Sequence, residues 1–182
     1  MDLEIKLFAD GADIDHIRAF VSDPRVAGFT TNPTLMRKAG VADYKDFSQE
    51  ALRLVAPRPI SFEVFTDDFE EMEVQAQDIA SWGENVYVKI PVTDTRGVST
   101  APVIEKLSTA GVKVNVTAIL TEAQIRNVCE ALSPTTPSVV SVFAGRIADA
   151  GVDPVPAMKR AAEILQDRPM AELLWASPRE VL

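Results

Sequence analysis

Seven times along this chain a short apolar run, rich in β-branched and aromatic residues, gives way to a stretch with helical spacing. That alternation restricts the fold more than any other feature. It calls for an α/β domain with a parallel sheet covered by helices. The expected strands are 6–10, 26–32, 60–65, 86–91, 112–120, 138–144 and 173–177. Between them lie expected helices: one opened by Asp13 and ended by Pro24, then 34–38, 44–55, 67–82, one ending at Ala110, 121–132 and 154–166. Gly145, Arg146 and Gly151 read as a loop, and Pro178 opens one more helix. No linker, low-complexity segment or internal sequence repeat interrupts the pattern, so residues 1–182 are expected to form a single domain.

Two architectures satisfy this alternation, an open doubly wound sheet and an eight-stranded barrel. The polar residues favour the barrel. Asp10, Asn32, Glu63, Lys89, Asn115, Thr117, Ser141 and Ser177 all lie in strands or at their C-terminal ends. In a (β/α)8 TIM barrel those ends converge on one mouth, whereas an open sheet gathers its ligand groups at one switch point. The eighth strand and helix are not found, and the domain is expected to be C-terminally incomplete by roughly 35 to 40 residues, the size of one βα unit and the end of a helix. Its first and seventh strands would then carry unpaired edges.

Composition excludes several chemistries. A formal net charge of −9 argues against nucleic acid as a partner, because phosphate backbones need a basic face. A small phosphorylated ligand needs only one or two placed arginines. No apolar run approaches a membrane span, and Met1 to Lys6 lacks the features of a signal peptide. The single Cys129 excludes an internal disulfide and fits a reducing cytoplasm. His16 is the only histidine; it falls among Ile14, Ile17 and Phe20 at helical spacing and reads as a helix-surface residue. A zinc site with several histidines is therefore impossible, and neither a Walker loop nor a GxGxxG pattern occurs.

The run Val86-Tyr87-Val88-Lys89-Ile90-Pro91 holds the candidate for chemistry. Alternation sends Val86, Val88 and Ile90 to one face and Tyr87 and Lys89 to the other. A buried lysine loses its proton more readily, and a neutral amine forms a Schiff base with a carbonyl. The competing reading is a strand-end lysine whose head reaches water. The other strands bear on the choice. Glu63 shares a face with Ser61 and Phe65, Asn115 with Thr117, and Ser141 with Phe143, each opposite the most aliphatic positions of its strand. A nucleophile needs such converging partners. Asp10 and Glu63 are candidate proton carriers. Asn32, Asn115, Thr117 and Ser141 suit polyol hydroxyls, and Arg146 and Arg179 suit a phosphate.

These residues resemble the transaldolase family along the whole chain. The motifs are Leu7-Phe8-Ala9-Asp10, Thr30-Thr31-Asn32-Pro33-Thr34, Val88-Lys89-Ile90-Pro91, Asn115-Val116-Thr117, Ser141-Val142-Phe143-Ala144-Gly145-Arg146 and Ala176-Ser177-Pro178-Arg179. The resemblance implies a cofactor-independent Schiff-base enzyme acting on small phosphorylated sugars. Lys89 would form the imine and Asp10 would serve as acid and base for C–C cleavage. Glu63 with Thr117 would hold a proton-relaying water. Asn32 and Ser141, with Asn115 nearby, would bind the dihydroxyacetone unit, and Arg146, Ser177 and Arg179 the phosphate. The similar fructose-6-phosphate aldolases tend to carry glutamine where Glu63 stands and tyrosine where Phe143 stands, so both residues here side with transaldolase, a transferase of the pentose phosphate pathway. A cytoplasmic homo-oligomer is expected, with neither nucleic acid nor membrane as partner. A fructose-6-phosphate aldolase, or a related class I aldolase, is the alternative among enzymes. The alternative of another class is a non-catalytic barrel remnant that binds sugar phosphates or a partner chain.

Overall fold

Short polar side chains begin many of the helices. The computed structural model describes residues 4–179. β1 (Leu7–Asp10) leads to α1 (Ile14–Val21), whose first turn closes when Asp13 Oδ1 accepts from His16 N at 2.9 Å. β2 (Val26–Thr30) is followed by α2 (Pro33–Lys38) and α3 (Tyr44–Val55). Asn32 and Asp43 cap these two by accepting from Leu35 N at 3.0 Å and Asp46 N at 2.8 Å. Then come β3 (Ile60–Glu63), α4 (Phe69–Ala80), β4 (Val86–Pro91), α5 (Ala101–Thr109) and β5 (Val114–Ile119). α6 (Glu122–Ala131) starts with a reciprocal box: Thr121 accepts from Gln124 N, and the Gln124 side chain accepts from Thr121 N. β6 (Ser138–Val142), α7 (Ala144–Asp149), α8 (Pro154–Ile164), a 3-10 turn (Leu165–Asp167) and β7 (Ala171–Trp175) complete the order.

The strands form one seven-stranded sheet in the order β1-β2-β3-β4-β5-β6-β7. The β1–β2, β2–β3, β5–β6 and β6–β7 pairs are parallel. Parallel neighbours in strict chain order are the topology of the (β/α)8 barrel, of which seven strands lie among the described residues. No helix of the described residues is long and apolar enough to cross a membrane. Among the described residues no group of three or more His, Cys, Asp or Glu side chains could hold a metal ion.

Two compact units divide the chain. The first runs to Phe65 and adds Gln75–Val88. Phe29, Val55, Ile60, Phe62 and Val88 are fully buried there. Each such side chain contributes roughly 1.5–3 kcal/mol relative to exposure. The Arg58 guanidinium donates to the carbonyls of Val21, Asp23 and Val26 and lies 5.9 Å over the Phe29 ring, so it ties the end of α1 to the start of β2.

The second unit comprises Thr66–Val74 and the chain from Lys89. Ile90, Ile104, Leu107, Val114, Val116, Ile119, Val140 and Val142 form its driest part. The loop after β4 folds back on itself. Thr100 Oγ1 donates to the Pro91 carbonyl at 2.6 Å, and Asp94 accepts from the backbone N–H groups of Arg96 and Val98.

The structure shortens several expected strands for local reasons. β2 stops at Thr30 because Asn32 turns to cap α2. β3 stops at Glu63, and Phe65 N donates to Gln75 Oε1 at 2.9 Å. β5 ends at Ile119, and Leu120 N is likewise taken by Gln124 Oε1. β7 lies two residues earlier than expected, and Ser177 stands beyond it with φ 56°. Arg146 lies in helix α7, not in a loop. The helix expected from Pro178 falls largely on residues 180–182, outside the described residues.

Candidate functional site

In the first unit, Asp10 ends β1 and its Oδ1 accepts from Thr30 Oγ1 at 2.7 Å. Parallel pairing sets Asp10 beside Thr30, so the contact follows from register. Thr30 is buried and Asp10 exposed, which leaves the rest of the carboxylate open. Asn32 is half-buried with its Oδ1 on the Leu35 N–H. Its amide NH2 group is the part that can donate to a ligand. Glu63, the last residue of β3, is half-buried, and its main-chain carbonyl accepts from the Tyr44 hydroxyl at 2.9 Å.

In the second unit, Lys89 sits between Val88 and Ile90, both fully buried, and is itself 8% exposed. The residue as a whole is therefore largely removed from water. Ser141 Oγ donates to Asn115 Oδ1 at 2.7 Å, with both residues buried. β5 and β6 thus turn their polar side chains toward the same side, as the alternation of both strands requires. That bond uses the Asn115 carbonyl oxygen as its acceptor. Thr117 is 2% exposed, and its Oγ1 has no hydrogen-bond partner among the described residues. A buried hydroxyl in that state costs about 1–3 kcal/mol unless a water or ligand atom completes it.

The backbone is irregular where Thr117 stands. The β5–β6 register shifts between Val116 and Ile119, and Ala118 has φ 61°. A non-glycine residue in the left-handed region costs roughly 1–3 kcal/mol, and such positions cluster at functional sites. The same holds at Ser177, which follows β7 with φ 56°.

Charge gathers beyond β6 and β7. Arg146 Nη1 lies 3.4 Å from Asp149 Oδ2, and Arg179 Nε lies 3.2 Å from both Asp149 oxygens. Arg179 Nη1 also donates to Ser177 Oγ at 3.0 Å and to the Ser177 carbonyl at 3.1 Å. One carboxylate thus holds two guanidinium groups, leaving one net positive charge. Gly145 makes this possible: a Cβ there would lie 1.7 Å from the Ser177 carbonyl oxygen. Phe143, half-buried, sits at the turn from β6 into α7.

Sequence reasoning missed Thr30, Asp149 and Tyr44. Thr30 stands inside the Thr-Thr-Asn run and carried a signal. Asp149 lies one helical turn from Arg146, a spacing visible once α7 is seen as a helix. Tyr44 looks like an ordinary apolar residue at a helix start. His16 is exposed on α1, as expected.

A protein-family model described as Transaldolase/Fructose-6-phosphate aldolase matches residues 7–182. A protein named probable transaldolase from Dehalococcoides mccartyi is 39% identical over 149 residues, which cover 82% of this chain and 65% of that protein. One of the same name from Caldicellulosiruptor saccharolyticus is 36% identical over 177 residues, covering 96% and 77%. The chain thus spans less than two thirds of the first relative's length. Among solved structures, one titled "QR15, an Aldolase" superposes with a TM-score of 0.51 at 12% identity, covering 93% of this chain and 89% of that one. At that identity the likeness is one of fold, and it agrees with the barrel-type strand order.

Proposed function

This chain belongs to the transaldolase/fructose-6-phosphate aldolase family, and from that premise we propose that it transfers a dihydroxyacetone unit from a ketose phosphate, fructose 6-phosphate or sedoheptulose 7-phosphate, to an aldose phosphate. The observation that carries the reading is Lys89, 8% exposed within an otherwise apolar strand. An amine set in such a strand, rather than on the surface, is placed to attack a carbonyl brought into the site.

The steps follow from the residues. Lys89 Nζ adds to the ketose C2 carbonyl, and loss of water from the carbinolamine gives the imine. Asp10 takes the proton of the C4 hydroxyl, the C3–C4 bond breaks, and that bond's electron pair moves into the protonated imine to leave a neutral enamine. The aldose phosphate departs. The enamine carbon attacks an acceptor aldehyde, Asp10 returns its proton to the new hydroxyl, and water releases the product ketose. Glu63 and Thr117 hold the water that relays protons during imine formation and hydrolysis; the Thr117 hydroxyl, buried and without a hydrogen-bond partner among the described residues, supports this. Asn32, Asn115 and Ser141 bind the donor hydroxyls beside Phe143. Arg146, Ser177 and Arg179 hold the phosphate through charge-assisted hydrogen bonds. The chemistry is complete with a lysine and carboxyl groups, so the reading names no cofactor. With this reading goes the expectation of pentose phosphate metabolism in the cytoplasm and of homo-oligomeric assembly.

Intact mass after incubation with fructose 6-phosphate and borohydride tests this. Reduction traps an imine as a secondary amine, so the expected result is a mass gain of one reduced dihydroxyacetone unit that Lys89→Ala abolishes. No gain in folded protein overturns the proposal. Turnover that requires an added aldose phosphate supports transferase over free aldolase; release of the three-carbon unit without an acceptor favours the aldolase.

A further inference from the structure

Resting on the reading of Glu63 as the carboxyl that holds the relaying water, we infer that Tyr44 is a positioning residue for that carboxyl, acting through the Glu63 main chain. The hydroxyl of Tyr44 donates to the Glu63 carbonyl at 2.9 Å across nineteen residues of sequence. Its ring is fixed independently, in edge-to-face contact with Phe62 at 6.2 Å, Phe65 at 4.6 Å and Trp82 at 5.4 Å. The start of its helix is fixed as well, by the Asp43 cap. The donor therefore reaches Glu63 from a rigid base.

A second clamp acts two residues further on, where Phe65 N donates to Gln75 Oε1 at 2.9 Å. Tyr44 from α3 and Gln75 from α4 thus bracket the peptide planes that follow Glu63. Displacement of the 63–64 peptide would break the Tyr44 bond and carry the Glu63 Cα, with its side chain, along. Burial raises the Tyr44 pKa far above its ordinary value, and the nearby Glu63 charge adds to the shift, so the hydroxyl stays a proton donor at any working pH. Catalytic geometry is sensitive on this scale: a displacement of about 1 Å costs on the order of a hundred-fold in rate.

Tyr44→Phe keeps the ring contacts and removes only the donor. The rate of imine trapping with fructose 6-phosphate is measured in wild type, Tyr44→Phe, Glu63→Ala and the double variant. Tyr44→Phe is expected to slow trapping by about ten-fold, part of that geometric penalty. In the Glu63→Ala background the same change is expected to have less than about a two-fold effect, because residues acting as one unit are not additive. Equal rates for wild type and Tyr44→Phe overturn the inference and leave the function standing. So does a fall of the same size in both backgrounds, or a variant that does not fold, since either makes the role structural only. Absence of an imine in the wild-type protein overturns the function, and this inference with it.

Discussion

β6 and β7 share five parallel register pairs, from Ser138↔Ala171 to Val142↔Trp175, yet β6 is buried at every residue and β7 at none. β1 and β2 repeat the contrast: β1 runs exposed, half-buried, half-buried, exposed beside a largely buried β2. Backbone pairing and burial are therefore separate contributions. A ladder satisfies N–H and C=O groups along one edge, but dryness depends on what lies on the two faces and the other edge. The candidate site residues divide along the same line. Asn115, Thr117 and Ser141 sit in dry strands, where a hydrogen bond is strong and an unmade one costly. Arg146 beyond β6 and Arg179 beyond β7 are exposed and are held by a shared carboxylate, suited to a ligand that arrives carrying its own charge.

Gly145→Ala attacks this contrast most directly, because Gly145 lies where the continuation of β6 meets that of β7. The added methyl group would collide with the Ser177 carbonyl. A loss of about 3 kcal/mol in unfolding free energy is expected, the upper part of the overpacking range. Weaker binding of inorganic phosphate should accompany it. An unchanged urea midpoint would show that the two strand ends are not locked.

A register pair measures the contrast quantitatively. Val140 is fully buried and faces half-buried Leu173 across the β6–β7 ladder. Val140→Ala should cost about 2 kcal/mol from lost burial plus a cavity. Leu173→Ala removes a larger group but should cost only about 1 kcal/mol, because much of that surface already meets water. Equal or inverted costs in chemical denaturation would show that β7 is covered in solution, for instance by another copy of the chain.

The smallest effect concerns a carboxylate. The Asp94 side chain is wholly buried beside an Arg96 guanidinium that is 74% exposed. Burial pushes the Asp94 pKa up, but the Val98 N–H and the two Arg96 donors pull it down further, so it lies below its ordinary 3.8. A depressed carboxyl contributes stability that is present above the unfolded-state value and lost as pH falls through the folded one. The denaturation midpoint should therefore drop below about pH 4, and Asp94→Asn should flatten that drop. Identical profiles for the two proteins would remove Asp94 as the cause.

Several elements were fully legible in the sequence. The Val-Tyr-Val-Lys-Ile-Pro run matches β4 residue for residue, because β-branched residues and a closing proline leave little choice. α3 matches as well, between the Asp43 cap and Pro57. Alternation set Asn115 and Ser141 each on the polar face of its strand, and the structure joins the two by a hydrogen bond. What escaped was long-range. Gly145 and Gly151 suggested a loop, whereas Gly145 answers to the Ser177 carbonyl, thirty-two residues away in sequence and touching in space. The bulge at Ala118 breaks a pattern that reads as regular alternation. Tyr44 carries no local mark of a bond to β3.

The strand order has a meaning for the time before the molecule is finished. Every strand joins a neighbour made just before it in the chain, so no segment waits for a distant partner. Short loop closures of this kind favour rapid formation. During synthesis, each new strand leaving the ribosome finds its template already in place, and the sheet can grow from the first strand to the last as the chain lengthens. The growing edge is then always the newest strand, and assembly follows the direction of translation.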